Sequence, residues 1–358
     1  MAEAIGVFVT QETDALFYFH FNKCNLHTSI KVYNDLDQYR SSQHKSKISC
    51  LQMPFPVRAE FDTLVDDLVA CSDHVLILMS ELHDRTIEIV QRHDNHKVSY
   101  FICSEFNFDL AFSPVHKFYD WFTTSTHFYK YVRPVTLDVL SPYAVKPKMF
   151  DALLGRKKYH RDFAYRYLQE LGDQNIVTYL NDINCNFNSK DDQHWIWEND
   201  GLDIDRTVEW TVERLPYYGH RMSLSQVVPL KVYNQTAYTL VAETNHSNHY
   251  SFYTEKTVKP IIAKRLFVGL AGQGYLANLR KLGFKTFDGI IDETYDTTEA
   301  NLNRFGQAMD QVRYLCSQPQ EEILDKIKPI CEHNSNLMLS TDWYRLYFEP
   351  AFVSYFNQ

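Results

Sequence analysis

Glycine is scarce in this chain. Its eleven glycines among 358 residues include no G-x-G-x-x-G and no P-loop pattern, which removes the usual glycine-rich phosphate cradles from consideration. Gly272, Gly274 and Ala277 keep only the looser G-x-G-x-x-A spacing, which reads first as a plain turn. No C-x-x-C pair occurs among the seven cysteines Cys24, Cys50, Cys71, Cys103, Cys185, Cys316 and Cys331. Odd in number, scattered, and several of them in apolar runs, they read as reduced thiols rather than a disulfide framework. No apolar run approaches the roughly 18 residues of a membrane span, and Met1 to Gly6 lacks a basic leader, so a cytoplasmic protein is expected. Excess positive charge is also missing: 36 Lys and Arg face 45 Asp and Glu, a net charge of −9. Bulk charge therefore implies no non-specific nucleic-acid binding.

Aromatics are plentiful, with 24 Tyr and 24 Phe. They suit clefts for sugars and bases, although core and surface filling accounts for most such residues. The length exceeds that of one ordinary core, so two domains are expected.

The N-terminal part alternates short apolar strands with helical stretches. Strands are expected at Ile5–Val9, Ser29–Tyr33, His74–Met79 and Val98–Cys103, with helices at 61–71 and 84–91. Three of these strands close on polar residues and a glutamate: Glu12, Glu81 and Glu105. That alternation is the mark of a parallel sheet, whose ligands sit beyond the carboxyl ends of its strands. Val132 to Pro147 carries Pro134, Pro142 and Pro147 and reads as a linker. The pattern then restarts, with strands at 149–154, 176–180, 227–232, 237–242 and 266–270. Helices are expected at 163–171, 275–282, 299–316 and 321–331. The resulting division is 1–140 for a first α/β domain, 147–330 for a second α/β domain, and 331–358 for a tail packing back on the first.

Two stretches could carry chemistry. From Lys146 to Arg166, seven Lys and Arg face two Asp, a net +5 in an acidic chain. Its turn, Gly155-Arg156-Lys157-Lys158-Tyr159-His160-Arg161-Asp162, lies between a strand and a helix, where amides and cations together suit an anion. The second stretch runs from Asn248 to Asp296. Thr254 is a good N-cap, and Glu255 and Lys256 open the helix behind it. There the amides and lysine suit phosphate and the carboxylate suits sugar hydroxyls. Cations at both loops would stabilise a departing diphosphate, with Glu255 or Glu243 gripping ribose or sugar.

The segments F-D-A-L-L-G-R-K-K-Y-H-R-D-F, Y-T-E-K-T-V-K-P-I-I-A, G-Y-L-A-N-L-R-K-L-G-F-K-T-F and I-I-D-E-T-Y-D resemble a family of glycosyltransferase-like proteins of tailed bacteriophages and marine bacteria. The T-E-K step is similar to the donor motif of the α-1,3-fucosyltransferases. The resemblance covers Phe150 to Asp162 and Tyr253 to Asp296. It implies a GT-B fold, two Rossmann-type domains facing a cleft, with 1–140 on the acceptor side and a nucleoside-diphosphate sugar held by the donor-binding domain 147–330. Carried over by position, Arg156, Arg161 and Lys256 would meet phosphate and Glu255 the ribose. With Gly155, His160, Glu243, Tyr253 and Thr254 they make up the expected donor site.

Two metal readings compete with this. Asp203-Ile204-Asp205 is a formal D-x-D, and His246 and His249 lie three apart near Glu243, without a convincing third ligand for zinc. The two basic clusters would make a metal redundant, so none is expected, and no cofactor besides the donor. An inverting reaction needs a base near the acceptor hydroxyl; Glu105 comes first, then Glu81 and Glu12. The acceptor stays open between 5-hydroxymethylcytosine in double-stranded phage DNA and a glycan or lipopolysaccharide. DNA would ask for a basic, aromatic groove; Lys45, Lys47, Lys117, Lys130, Arg133, Lys146 and Lys148 interleave with Phe118, Tyr119, Trp121, Phe128, Tyr129 and Tyr131. A non-catalytic sugar- or nucleotide-binding protein that kept a transferase fold is the alternative from another class.

Overall fold

The computed structural model describes residues 4–53, 59–80, 86–106, 108–132, 134–180, 211–214, 221–223, 228–246, 248 and 250–357. For 59, 132, 134–136, 156, 180, 211–214 and 221–223 it describes the backbone alone. The chain divides into two compact units: Met1–Asp120 with Asp342–Gln358, and Trp121–Leu215 with Arg221–Thr341. The dividing points thus fall near 120 and 341 rather than at 140 and 330. Phe122 packs against Tyr253 and Phe284 of unit 2, and one continuous helix carries the chain from Gln320 to Ser340.

Unit 1 is built on a six-stranded, wholly parallel sheet. Its strands are β1 (Ile5–Val9), β2 (Ile30–Tyr33), β3 (Lys47–Gln52), β4 (His74–Met79), β5 (Val98–Cys103) and, after the two-residue β6 (Glu105–Phe106), β7 (Val115–Phe118). Their order is β2-β1-β3-β4-β5-β7. β1 and β5 are buried along their whole length, as expected where both faces of a parallel sheet are covered. The covering helices include α1 (Asp14–Lys23), α2 (Leu36–Ser41), α3 (Ala59–Cys71) and α4 (Thr86–Arg92). The aromatic tail packs here as well. Phe348 and Phe352 lie on Phe101, and the Tyr355 hydroxyl donates to Ser99 Oγ at 2.7 Å. Phe356 meets Phe17 and Phe21.

Unit 2 opens with α5 (Asp120–His127) and holds a four-stranded parallel sheet of β8 (Lys148–Arg156), β9 (Asn175–Leu180), β12 (Thr236–Ala242) and β14 (Phe267–Leu270), in the order β14-β12-β8-β9. The short β10 (Thr211–Arg214) and β11 (Arg221–Ser223) form an antiparallel ribbon, and β13 (Tyr250–Ser251) follows β12. The helices are α6 (Tyr159–Glu170), α7 (Leu230–Tyr233), α8 (Glu255–Ile262), α9 (Tyr275–Lys281), α10 (Asn301–Ser317) and α11 (Gln320–Ser340). The strand expected at 227–232 is instead the helical turn α7, which starts directly after Pro229, a residue without an amide to offer a central strand. At the heart of the sheet Arg265 is ion-paired with Asp151 at 2.7 Å, both almost fully buried. Arg265 also donates to the carbonyls of Tyr233, Thr236 and Tyr238. A buried charge survives only when its hydrogen-bonding capacity is met in this way. Both units are therefore α/β layers on parallel sheets, Rossmann-like in that sense.

Candidate functional site

The expected T-E-K helix start is present in unit 2. Thr254 has extended backbone and caps α8, its hydroxyl accepting from the Lys256 amide at 3.3 Å. Beneath it lies Glu243, just past the carboxyl end of β12 and fully buried. The Glu243 carboxylate accepts from the Thr254 amide at 3.0 Å, the Thr254 hydroxyl at 2.7 Å, the Thr244 amide at 3.1 Å and the Thr257 hydroxyl. A carboxylate offers about four acceptor positions, so this one is filled from within the unit. The expectation that Glu243 grips sugar hydroxyls is corrected accordingly: it fixes the helix start from below. Tyr253 is also internal, donating its hydroxyl to the Tyr275 carbonyl at 2.8 Å.

Above this base the cations gather. Lys256 Nζ reaches Glu255 Oε1 at 2.6 Å and Thr244 Oγ1 at 3.4 Å. Lys158, the residue capping α6, reaches the Thr244 carbonyl at 2.5 Å. The basic turn after β8 and the T-E-K start are thus brought to one residue, Thr244. Burial alone would push the Glu255 carboxyl up. Lys256, Lys259 and a backbone amide outweigh it and hold the group below the usual carboxylate range.

Below the turn, Arg161 is buried, its guanidinium 3.4 Å from the carbonyls of Ala242 and Glu243. Gly155 makes room for it: a Cβ there would stand 3.3 Å from Arg161 Nη1. His160 is fully buried and donates from Nε2 to the Glu243 carbonyl at 2.7 Å. Its ring stacks on His246 at 4.7 Å. Burial, with Arg161, His246 and Lys158 nearby, holds the imidazole well below its ordinary pKa, so it is a neutral donor to the strand end. Arg156 ends β8, and its side chain lies outside the described atoms.

The glycine-bearing loop leads to a helix start of a different kind. Gly274 precedes α9 with φ +77°, a left-handed conformation that glycine adopts without strain. The first-turn amides of Leu276 and Ala277 both donate to the Asp296 carboxylate at 2.9 Å. The chain supplies its own anion here, and the G-x-G-x-x-A spacing is a turn with an internal plug.

In unit 1, Glu105 follows Ser104, whose φ is +94°. Its carboxylate is buried and accepts from Lys117 Nζ at 2.5 Å and from the Tyr119 hydroxyl. Glu12 is exposed on a turn. Glu81, Asp203, Asp205 and His249 lie outside the described residues. Among the described residues no three His, Cys, Asp or Glu side chains are grouped to hold a metal ion, and the six described cysteines are free thiols.

The residues proposed for a DNA groove mostly serve their own units. Phe118, Tyr119, Phe128, Tyr129 and Lys146 are buried. Lys47 binds the carbonyls ending α2, and Lys148 binds the Asp173 carbonyl. Lys45, Lys130 and Tyr131 are exposed, and Arg133 lies outside the described residues.

Sequence reasoning missed Thr244, Thr257, Lys259 and Asp296 as parts of these helix starts. Only Lys259 had a local signal, its spacing of four from Glu255 on one helix face. Comparison with protein-family models, curated proteins and solved structures found no match to this chain.

Proposed function

We propose that the chain is a metal-independent glycosyltransferase that takes a sugar from a nucleoside-diphosphate donor, in a GT-B arrangement with the donor phosphates at the start of α8. The observation that carries this reading is the meeting of the Lys158 and Lys256 ammonium groups on Thr244, at the carboxyl end of a central parallel strand. Ligands of such sheets bind at that end, and a capped helix start with two lysines suits a diphosphate. The resemblance of T-E-K to a nucleotide-sugar motif points the same way.

In transfer, the bond from the anomeric carbon to the diphosphate breaks as the acceptor oxygen bonds that carbon. Negative charge grows on the leaving diphosphate, where fixed cations lower the barrier. The acceptor's proton passes to a base, for which Glu105 is the described candidate and Glu81 the other. The acceptor is a hydroxyl of a glycan or of 5-hydroxymethylcytosine in DNA.

A thermal-shift panel of nucleoside diphosphates and nucleotide sugars tests the reading. A ligand present at 100 times its dissociation constant should add about 2.7 kcal/mol, and Lys256→Ala should abolish the response. A wild-type protein stabilised by no member of the panel contradicts it.

A further inference from the structure

We infer that Thr244 is itself a ligand-binding residue, its hydroxyl donating to an oxyanion that Lys158 and Lys256 also meet. That the anion belongs to a nucleotide rests on the donor-site reading; the contact with a bare oxyanion can be tested apart from it.

Thr244 stands two residues past the end of β12 and is half-buried, at the step from core to solvent. Its amide donates to Glu243 Oε2 at 3.1 Å, and its carbonyl accepts from Lys158 Nζ at 2.5 Å. Its hydroxyl oxygen accepts from Lys256 Nζ at 3.4 Å. A hydroxyl also carries one hydrogen to give, and among the described residues that hydrogen meets no acceptor. The two ammonium groups beside it are donors only. Glu243 already accepts from four groups, and Glu255 Oε1 is taken by Lys256 at 2.6 Å. The Thr254 hydroxyl gives its own hydrogen to Glu243 and accepts from the amide and the ammonium of Lys256. An O–H surrounded by donors finds its acceptor in solvent or in a ligand. A ligand that meets a hydroxyl and two ammonium groups together is an oxyanion, for which such charge-assisted bonds are the strong ones.

The bond lengths at Lys256 show where that anion enters. Its three N–H groups go to Glu255 Oε1 at 2.6 Å, Thr254 Oγ1 at 3.3 Å and Thr244 Oγ1 at 3.4 Å. The last is the longest and lies beyond the usual N–H···O range, so it is the one most readily exchanged. An oxygen that takes this N–H arrives beside the Thr244 hydroxyl and receives its hydrogen as well. Thr244 thus holds the ammonium in the empty site and shares the anion with it in the filled one.

Calorimetric titration of inorganic pyrophosphate, and then of uridine and guanosine diphosphates, into the full chain tests this with Thr244→Val and Thr244→Ser. Valine keeps the shape, the amide bonded to Glu243 and the carbonyl bonded to Lys158, and loses only the hydroxyl. Thr244→Val should bind pyrophosphate about tenfold more weakly or worse, the size of one hydrogen bond to a charged group, with the unliganded melting temperature unchanged. Thr244→Ser should keep wild-type affinity. Equal affinity in Thr244→Val and wild type overturns the inference, and so does an equal loss in Thr244→Ser. If Thr244→Val fails to fold, Thr244→Ala against Thr244→Ser decides in the same way. Wild type that binds pyrophosphate but neither nucleoside diphosphate defeats the donor-site reading and leaves the Thr244 contact to be judged on pyrophosphate. Wild type that binds none of the three overturns both.

Discussion

Helices α8 and α9 begin near the carboxyl ends of the neighbouring strands β12 and β14, and the two starts differ in what meets their amides. At α9 the Asp296 carboxylate accepts the amides of Leu276 and Ala277. At α8 the nearest buried carboxylate, Glu243, stands under the cap and holds Thr254 and Thr257, and the side chains gathered on top are lysines. Tyr275, the first residue of α9, ties the two together: its hydroxyl bonds Thr257 and its carbonyl accepts from Tyr253. At α8 the amides of Thr254 and Lys256 are also met from within the unit, so what sets this start apart is its lysines rather than vacant amides. In this unit the glycine-bearing loop, which looks more like a phosphate loop, is the one closed by a carboxylate.

The largest effect is expected for Glu243→Ala, which strands amide and hydroxyl donors in a dry interior. It should cost about 3 kcal/mol or more in chemical denaturation, and a loss under about 0.5 kcal/mol would show that Glu243 does not support α8. Asp296→Ala should cost about 2 kcal/mol and leave the nucleotide response intact, because only the plug of α9 is removed.

The two carboxylates also predict opposite pH signatures. Glu255 is held below its unfolded value of about 4.3, so its contribution is present above that pH and is lost as pH falls through its folded value. Burial raises Asp296 above its unfolded value of about 3.9, with the two amides pulling it only part of the way back. It therefore holds its proton more tightly folded than unfolded, and stability falls as pH rises from the unfolded value through the folded one. Glu255→Gln should flatten a rising slope of stability against pH, and Asp296→Asn a falling one; slopes of the same sign would contradict the account. The smallest stability change is expected for Lys256→Ala. Its pair with Glu255 is largely buried, so removing the lysine leaves a buried carboxylate with one partner fewer, at a cost of about 1–2 kcal/mol, and the same variant should lose nucleotide binding.

Much of the fold was legible where apolar runs are continuous and bounded by polar residues. β4 and β5 coincide with the expected strands, α8 starts behind Thr254 as its capping residue indicated, and α6, expected at 163–171, starts four residues earlier at Tyr159 within the basic turn. α1 escaped because its sequence, D-A-L-F-Y-F-H-F-N-K, is aromatic on more than one face. That makes sense only once the tail covers it, with His20 stacked on Phe348. β3 escaped with it, and β7, V-H-K-F, is too short to show a period. At the site, Glu243 was visible as a strand-end glutamate, but its role was not. Its partners Thr254 and Thr257 lie eleven and fourteen residues on, beyond any local pattern. Asp296 is nineteen and twenty residues from the amides it caps. Only the folded chain brings those groups together, so sequence pattern alone could not separate a helix start ringed by lysines from one capped by a distant carboxylate.

On the proposed reading, a diphosphate binds at the α8 start, with Lys158 and Lys256. Calorimetric titration of nucleoside diphosphates into wild type, Lys158→Ala/Lys256→Ala and Asp296→Asn tests it most directly. Salt-sensitive binding retained by wild type and Asp296→Asn and lost by the double lysine variant is the predicted result. Equal affinity in the double lysine variant, or loss only in Asp296→Asn, would contradict the account.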